Sequence, residues 1–360
     1  MGRRRDNPPT SAAASPDDDP PFHPGPQGVS PIARVPFGHS GTIAAKTTLI
    51  LALAIAASAT AGVALYHLYH AGKRPESRLD RLSHARCIVV ISEDLCGGSR
   101  YTVQLAERLR RKGVPMTFAV PAWEAYAYPD RMRKLRELGC DLINHANDGG
   151  ASYAFLGHPG KLAGLPEEEQ RKISHTAQEQ IRKATGFRPD AYRAPGLAID
   201  ENTYRALIRE GIWIDSSKIF THPGTRGAPR WIKVDGHRIL EIPIACYTEW
   251  EYDRHGRPVR PKFLCSFADD LFVQPKIRSH QPERALENLK RGFDQYYRHG
   301  RPGRPTVFVV LFHEHITANP KYWWIILEFV DYARRHPGVE FATIDEVAQL
   351  AKRGQRFTAF

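Results

Sequence analysis

The chain alternates between short, mainly apolar runs and longer stretches in which apolar residues recur every three or four positions. Runs at 86–94, 115–121, 140–145, 238–245 and 306–313 read as strands covered on both faces, because such strands need no polar alternation. Stretches 101–113, 129–139, 166–186, 200–211, 322–336 and 343–353 carry the helical period. Their boundaries are marked. Pro166 and three glutamates, Glu167 to Glu169, open one helix that Gly186 closes, and Asp200 is placed to cap another. Strands alternating with helices of this length predict βαβ units and a parallel sheet or barrel. The stretch 246–280 reads as long and irregular.

Two different patterns come first. Residues 1–46 are rich in Pro, Ser, Ala and Asp, and cannot bury enough apolar surface to offset ordering, so a disordered tail is expected. Residues 47–66 carry no charge and are apolar on every face. At about 1.5 Å per residue a helix of that length spans the roughly 30 Å hydrocarbon core. Tyr66 and Tyr69 suit the membrane interface. The reading is a membrane anchor at 47–70, a linker at 71–83 and a domain at 84–360. A cleaved signal peptide with Ala59-Thr60-Ala61 as its cleavage site is the rival, and the length of the preceding segment favours the anchor. Lys73, Arg74, Arg78 and Arg81 lie just beyond the span, which by the positive-inside rule favours a cytoplasmic domain.

The formal net charge of the 360 residues is +12. The first 46 hold five basic residues (Arg3, Arg4, Arg5, Arg34, Lys46) against four acidic ones, so nearly all of the excess lies beyond them. That excess suits anionic envelope polymers or phospholipid. No zinc-finger or RNP-like motif accompanies it, which argues against nucleic acid as a partner. The five cysteines include no CxxC pair, which argues against a zinc knuckle. Their low, odd number favours buried free thiols, with one bridge, Cys246 to Cys265, left open for an oxidising compartment.

Candidate chemistry gathers at strand ends. Glu93-Asp94, Asn144-His145, Tyr192-Arg193 and His313-Glu314-His315 each close an apolar run or a middle segment. Singly, each reads as a helix cap, a satisfied core histidine or a structural ion pair. Together, at the carboxyl ends where parallel α/β proteins place their chemistry, they point to a site. One or two carboxylates with histidines can hold a divalent ion such as zinc. Such an ion lowers the pKa of bound water and polarises a carbonyl, while a second carboxylate serves as base and a further histidine as acid. The set suits metal-assisted hydrolysis of an amide or ester.

The order of these motifs resembles the polysaccharide deacetylases, the NodB-homology carbohydrate esterases of family four. Residues 87–120 are similar to the family opening, in which one strand ends in Thr-Phe-Asp-Asp-Gly and the next in Ala-Thr-Phe-Phe-Val. Residues 137–145 resemble the strand with the first metal histidine, 184–196 the Arg-x-Pro motif, 209–217 the fourth motif, and 309–315 the closing Leu-x-His. The resemblance covers 86–352. It implies a distorted, incomplete (β/α) barrel and divalent-metal-dependent removal of N- or O-acetyl groups from a glycan. That substrate implies the extracytoplasmic side of the membrane, against the flanking charges.

Carried onto this chain, the resemblance makes Asp94 a metal ligand and Glu93 the general base. His145 becomes a metal histidine and Arg193 orients the base. Asp215 supports the catalytic histidine, and His313 protonates the leaving amine, with His315 as its rival. There are two departures. Glu93 is one methylene longer than the family's aspartate, and the second metal histidine, expected four residues after His145, is replaced by Gly149. Residues 158–169 resemble the family's segment that starts at the second metal histidine, so 146–157 is an inserted loop and His158 the displaced ligand. Asp148 is the alternative third ligand, and His175, inside a helix, reads as surface. Tyr153, Phe155, Trp123, Tyr126, Trp250 and Tyr252 suit sugar stacking or plain packing. Two further functions stay open: a decayed, glycan-binding scaffold, favoured by the two departures, and a hydrolase of a small non-peptide amide.

Overall fold

The computed structural model describes residues 76–147, 162–219, 227–266, 268 and 282–359. The expected tail and the span 47–70 lie outside them. Among the described residues no helix is long and apolar enough to cross a membrane. Residues 75–360 form one compact unit.

In chain order the elements begin with α1 (Arg78–His84), β1 (Cys87–Asp94), α2 (Thr102–Arg111), β2 (Met116–Val120), α3 (Ala122–Ala127), α4 (Pro129–Glu137) and β3 (Asp141–Asn144). Next come α5 (Glu167–Thr185), β4 (Ala191–Tyr192), α6 (Glu201–Arg209), β5 (Ile214–Asp215), β6 (Arg230–Val234), β7 (His237–Glu241), β8 (Cys246–Tyr252) and β9 (Pro258–Cys265). The chain closes with α7 (Pro282–His299), β10 (Thr306–His313), α8 (Glu314–Thr317), α9 (Trp323–Arg334), β11 (Val339–Ala342) and α10 (Ile344–Lys352).

The expected parallel sheet is present, in the order β10-β1-β2-β3-β4-β5-β7-β6, with β11 also pairing β1. Its pairings are parallel except β6 against β7. The expected caps form. Asp200 accepts Thr203 N–H at 2.8 Å, and Gly186 ends α5 at φ 75°, a left-handed conformation that costs glycine little. The sequence reading placed 78–83 in a linker. Instead Ser77 caps α1 and Leu82 is fully buried, so the unit starts before residue 84.

Strand alternation sorts the side chains into two faces. Ile88 and Val90 of β1 share one buried cluster with Ala119, Ile143, Ala191, Ile214, Leu240, Val307, Val309 and Leu311. Residues from seven strands thus meet in one interior, as in a barrel. The edge strands of this path are β10 and β6. The chain just after β7 returns towards β10: Ile242 and Ile244 join the interior cluster, and Ala245 N–H bonds Val309 O at 3.1 Å. The other face of β1 packs Val89 and Ile91 with Phe118, Phe308 and Phe312 against the outer helices, through Phe293 of α7 and Phe329 of α9.

The stretch 246–280 is less irregular than expected. Its first part is the β8–β9 hairpin, and Cys246 and Cys265 are register partners joined by a disulfide. The preference for buried free thiols therefore fails for this pair and stands for Cys87 and Cys140.

Candidate active site

Arg193 organises the carboxyl ends of the strands. It comes directly after β4 on the interior face and is fully buried. Its Nη1 donates to Ser92 Oγ at 2.9 Å and to Asp94 Oδ1 at 3.0 Å; Nε donates to Ser216 O at 2.9 Å and Nη2 to Ser216 Oγ at 3.0 Å. A guanidinium is buried at tolerable cost only when its donors are used and its charge is matched. Asp94, 3% exposed, provides the charge. Burial alone would raise the Asp94 carboxyl, but Arg193, then His145 and His313, hold it below the usual range.

His145 is held by its far nitrogen. Nδ1 lies 2.8 Å from Arg193 O, and a carbonyl only accepts, so Nδ1 carries the proton. In the neutral ring Nε2 then presents a lone pair, and it faces Asp94 Oδ2 at 3.8 Å. Nε2 and Oδ2 are satisfied by a cation between them, a proton on the ring or a metal ion in its place. The 3.8 Å gap suits two ligands of one ion, each about 2.0–2.2 Å from it. A ring whose second nitrogen is tied to a carbonyl is the usual arrangement of a metal-ligating histidine.

His313 completes the group. It is the register partner of Asp94 across β1 and β10, so both side chains lie on the interior face. His313 is half-buried and His315 exposed, with ring centroids 6.1 Å apart, so His313 is the better placed of the two.

Glu93 and Asp215 do not join this group. Glu93, fully buried, has Phe312 and Phe118 as register partners, and both belong to the outer cluster. Adjacent strand residues point to opposite faces, so the step that brings Asp94 inside carries Glu93 outside. Arg193, expected to orient a base at Glu93, grips Asp94 instead. Asp215 pairs with Tyr192 and Glu241, on the face opposite Ile214. Burial raises both carboxyls, Glu241 the more, with Asp215 beside it adding to the rise. Asp215 accepts from Ser217 Oγ at 2.5 Å, and Ser217 Oγ accepts Ala194 N–H at 2.8 Å. Its route to the site therefore runs through the backbone beside Arg193 rather than through His313.

His158 and Asp148, the two candidates for a third ligand, lie outside the described residues, as do Tyr153 and Phe155. Among the described residues no three His, Cys, Asp or Glu side chains gather as a metal site. His175 is on the surface as expected, bonded to Glu210 at 2.7 Å. Trp123 packs edge-on to Tyr128, while Tyr126 and Trp250 are exposed. Ser92, Ser216 and Ser217 were not anticipated. For Ser92 a signal existed, since it stands two residues before Asp94 on one strand and so shares its face. A cavity of about 480 Å³, lined by Met116, Asp141, Asp190 and Asp345, opens at the other end of β2 and β3, away from this chemistry.

Residues 83–212, which hold Asp94, His145 and Arg193, match the family described as polysaccharide deacetylase. Over this stretch the chain is similar to the polysaccharide deacetylases. No curated protein matches the chain. Among solved structures, a putative polysaccharide deacetylase from Mycobacterium smegmatis is 19% identical, with 77% of this chain and 94% of that one covered and a TM-score of 0.58. A probable polysaccharide deacetylase from Pseudomonas aeruginosa is 18% identical, with coverages of 80% and 98% and a TM-score of 0.58. Puue allantoinase, 18% identical with coverages of 79% and 95%, gives a TM-score of 0.57. At these identities the likeness is one of fold.

Proposed function

We propose that this deacetylase-like domain is a metal-dependent hydrolase that removes N- or O-acetyl groups from a cell-envelope glycan. The observation that carries the reading is the pair of acceptors, Asp94 Oδ2 and His145 Nε2, that face each other at 3.8 Å beside Arg193. They fit two positions of a divalent ion such as zinc, with His158 or Asp148 as the third protein donor. Bound there, the ion would supply a more acidic water and a polarised acetyl carbonyl.

The chain's own residues supply the rest. Arg193 fixes the Asp94 carboxylate in its ionised form as a metal donor, while Glu93, on the outer face, is not placed to act on the reacting water. His313, across the β1–β10 pair, is the acid for the leaving amine or alcohol. Asp215, through Ser217, positions the backbone next to Arg193. Tyr126 and Trp250 offer exposed rings for sugar faces.

The displaced Glu93 favours one other reading, a glycan-binding protein without turnover. Acetate release separates the two, assayed on N-acetylated oligosaccharides and, because an allantoinase shares the fold, on small cyclic amides. Release from the oligosaccharides alone supports the proposal. Glycan affinity without release supports the binder, and turnover of cyclic amides alone moves the substrate to a small molecule. We also place the domain on the extracytoplasmic side, anchored by residues 47–70, because a Cys246–Cys265 disulfide needs an oxidising compartment. No nucleic-acid role is assigned.

A further inference from the structure

The end of β10 carries two polar residues in succession, and the reaction uses only the first. His313 lies beside Asp94. Glu314, 3% exposed, reaches into the loop after β1. Its Oε2 accepts the N–H of Cys96 at 3.1 Å and that of Gly97; its Oε1 accepts the N–H of Ser99 at 2.7 Å and the hydroxyl of Thr102 at 3.4 Å. These donors lead into the N-terminus of α2, where backbone N–H groups favour an anion. Here the anion is the chain's own side chain. Gly97 leaves room for it, since a Cβ there would stand 3.0 Å from Glu314 Oε2.

A second buried carboxyl holds the far side of the same loop. Glu124 of α3, fully buried, accepts Gly98 N–H at 2.9 Å. Arg131 of α4 donates to Gly98 O at 2.8 Å and lies 3.4 Å from Glu124. Burial, together with the nearby Glu314, pushes the Glu124 carboxyl up to about 8.

The connectivity gives this clasp a consequence. The gripped loop begins one residue after Asp94, and the gripping side chain begins one residue after His313. Asp94 and His313 are themselves register partners. We propose that Glu314, with Glu124 gripping the far side of the same loop, is a positioning residue that holds Asp94 and His313 at a fixed separation for deacetylation. The inference rests on the deacetylase reading of the same site. Neither glutamate touches the reacting atoms.

The test compares the full-length protein with Glu314→Ala, Glu314→Gln and Glu124→Gln. The readouts are kcat and KM for acetate release from an N-acetylated oligosaccharide, the His313 ring signals by nuclear magnetic resonance, and the folded fraction by circular dichroism. Misplacing one partner by about 1 Å costs roughly 100-fold in rate. Glu314→Ala is therefore expected to lose about 100-fold in kcat with little change in KM, and to shift the His313 signals while staying folded. Glu314→Gln, which keeps one accepting oxygen, should fall between it and the wild type. A kcat for Glu314→Ala within about threefold of wild type overturns the proposal. So does a loss that merely tracks the folded fraction, with His313 signals unmoved. If the wild type releases no acetate, the deacetylase reading fails, and the His313 signals alone decide whether Glu314 positions that ring.

Discussion

Replacing Arg193 by Met probes the site where its energetics are most exposed. The substitution keeps an unbranched stem and removes every donor. Asp94 Oδ1, Ser92 Oγ and both Ser216 oxygens lose their partner, in surroundings no more than 3% exposed. Breaking a buried ion pair from one side costs about 3–5 kcal/mol, because the remaining charge is left without compensation. Folding stabilities are typically about 5–15 kcal/mol, so the loss should be visible in one urea titration monitored by circular dichroism. The double variant Arg193→Met with Asp94→Asn removes the stranded charge as well. Its cost should fall short of the sum of the single costs by about 2 kcal/mol or more, since the partners touch. The pH dependence has a fixed sign. The Asp94 carboxyl is held low in the folded protein, so its contribution is present above its ordinary value and is lost as pH falls through the folded one. Without Arg193, burial raises that carboxyl, and the deficit of the single variant should shrink towards acid pH. A cost below about 1 kcal/mol, or simple additivity, would refute the view that Arg193 and Asp94 form one buried unit.

Two further outcomes concern groups outside the reaction. The Glu124 carboxyl is pushed up to about 8 in the fold, so the stability tied to its protonated form is present below its ordinary value of 4.5 and is lost as pH rises through about 8. Between those values it removes up to about 1.4 kcal/mol per pH unit, and Glu124→Gln should flatten that slope in thermal or urea unfolding; unchanged slopes would contradict it. For the bridge between Cys246 and Cys265, 19 residues apart, chain entropy assigns about 3 kcal/mol, so reductant should lower stability by up to that amount. Thiol titration of the unfolded, unreduced protein should find three thiols and not five, because Cys246 and Cys265 are joined.

The sheet was legible because β1, β2, β3 and β10 are covered on both faces and so read as continuous apolar runs. Strands β4 and β5, of two residues each, are too short to show any period. The hairpin strands β8 and β9 include exposed positions such as Trp250 and Val259, so they lack the apolar run that marked the others. Helix α7 was missed although Leu286, Leu289, Phe293 and Tyr296 carry its period and are buried. The disulfide was not decidable from a cysteine count, because the β8–β9 register is what makes those two residues neighbours.

The site divides in the same way. Asp94, His145, Arg193 and His313 were legible as polar residues closing successive strands. The roles given to Glu93 and Asp215 came from motif order, and motif order does not say which face a strand residue takes. The period of two does: Ser92 and Asp94 go inward together, and Glu93 goes outward with Phe118 and Phe312.

The most direct measurement is the divalent-metal content of the purified protein, read beside its acetate release, for the wild type and for His145→Ala. The wild type is expected to hold about one zinc-like ion per chain and to release acetate, and His145→Ala to stay folded while losing both. A His145→Ala protein that keeps its ion and its activity would contradict the assignment of this site.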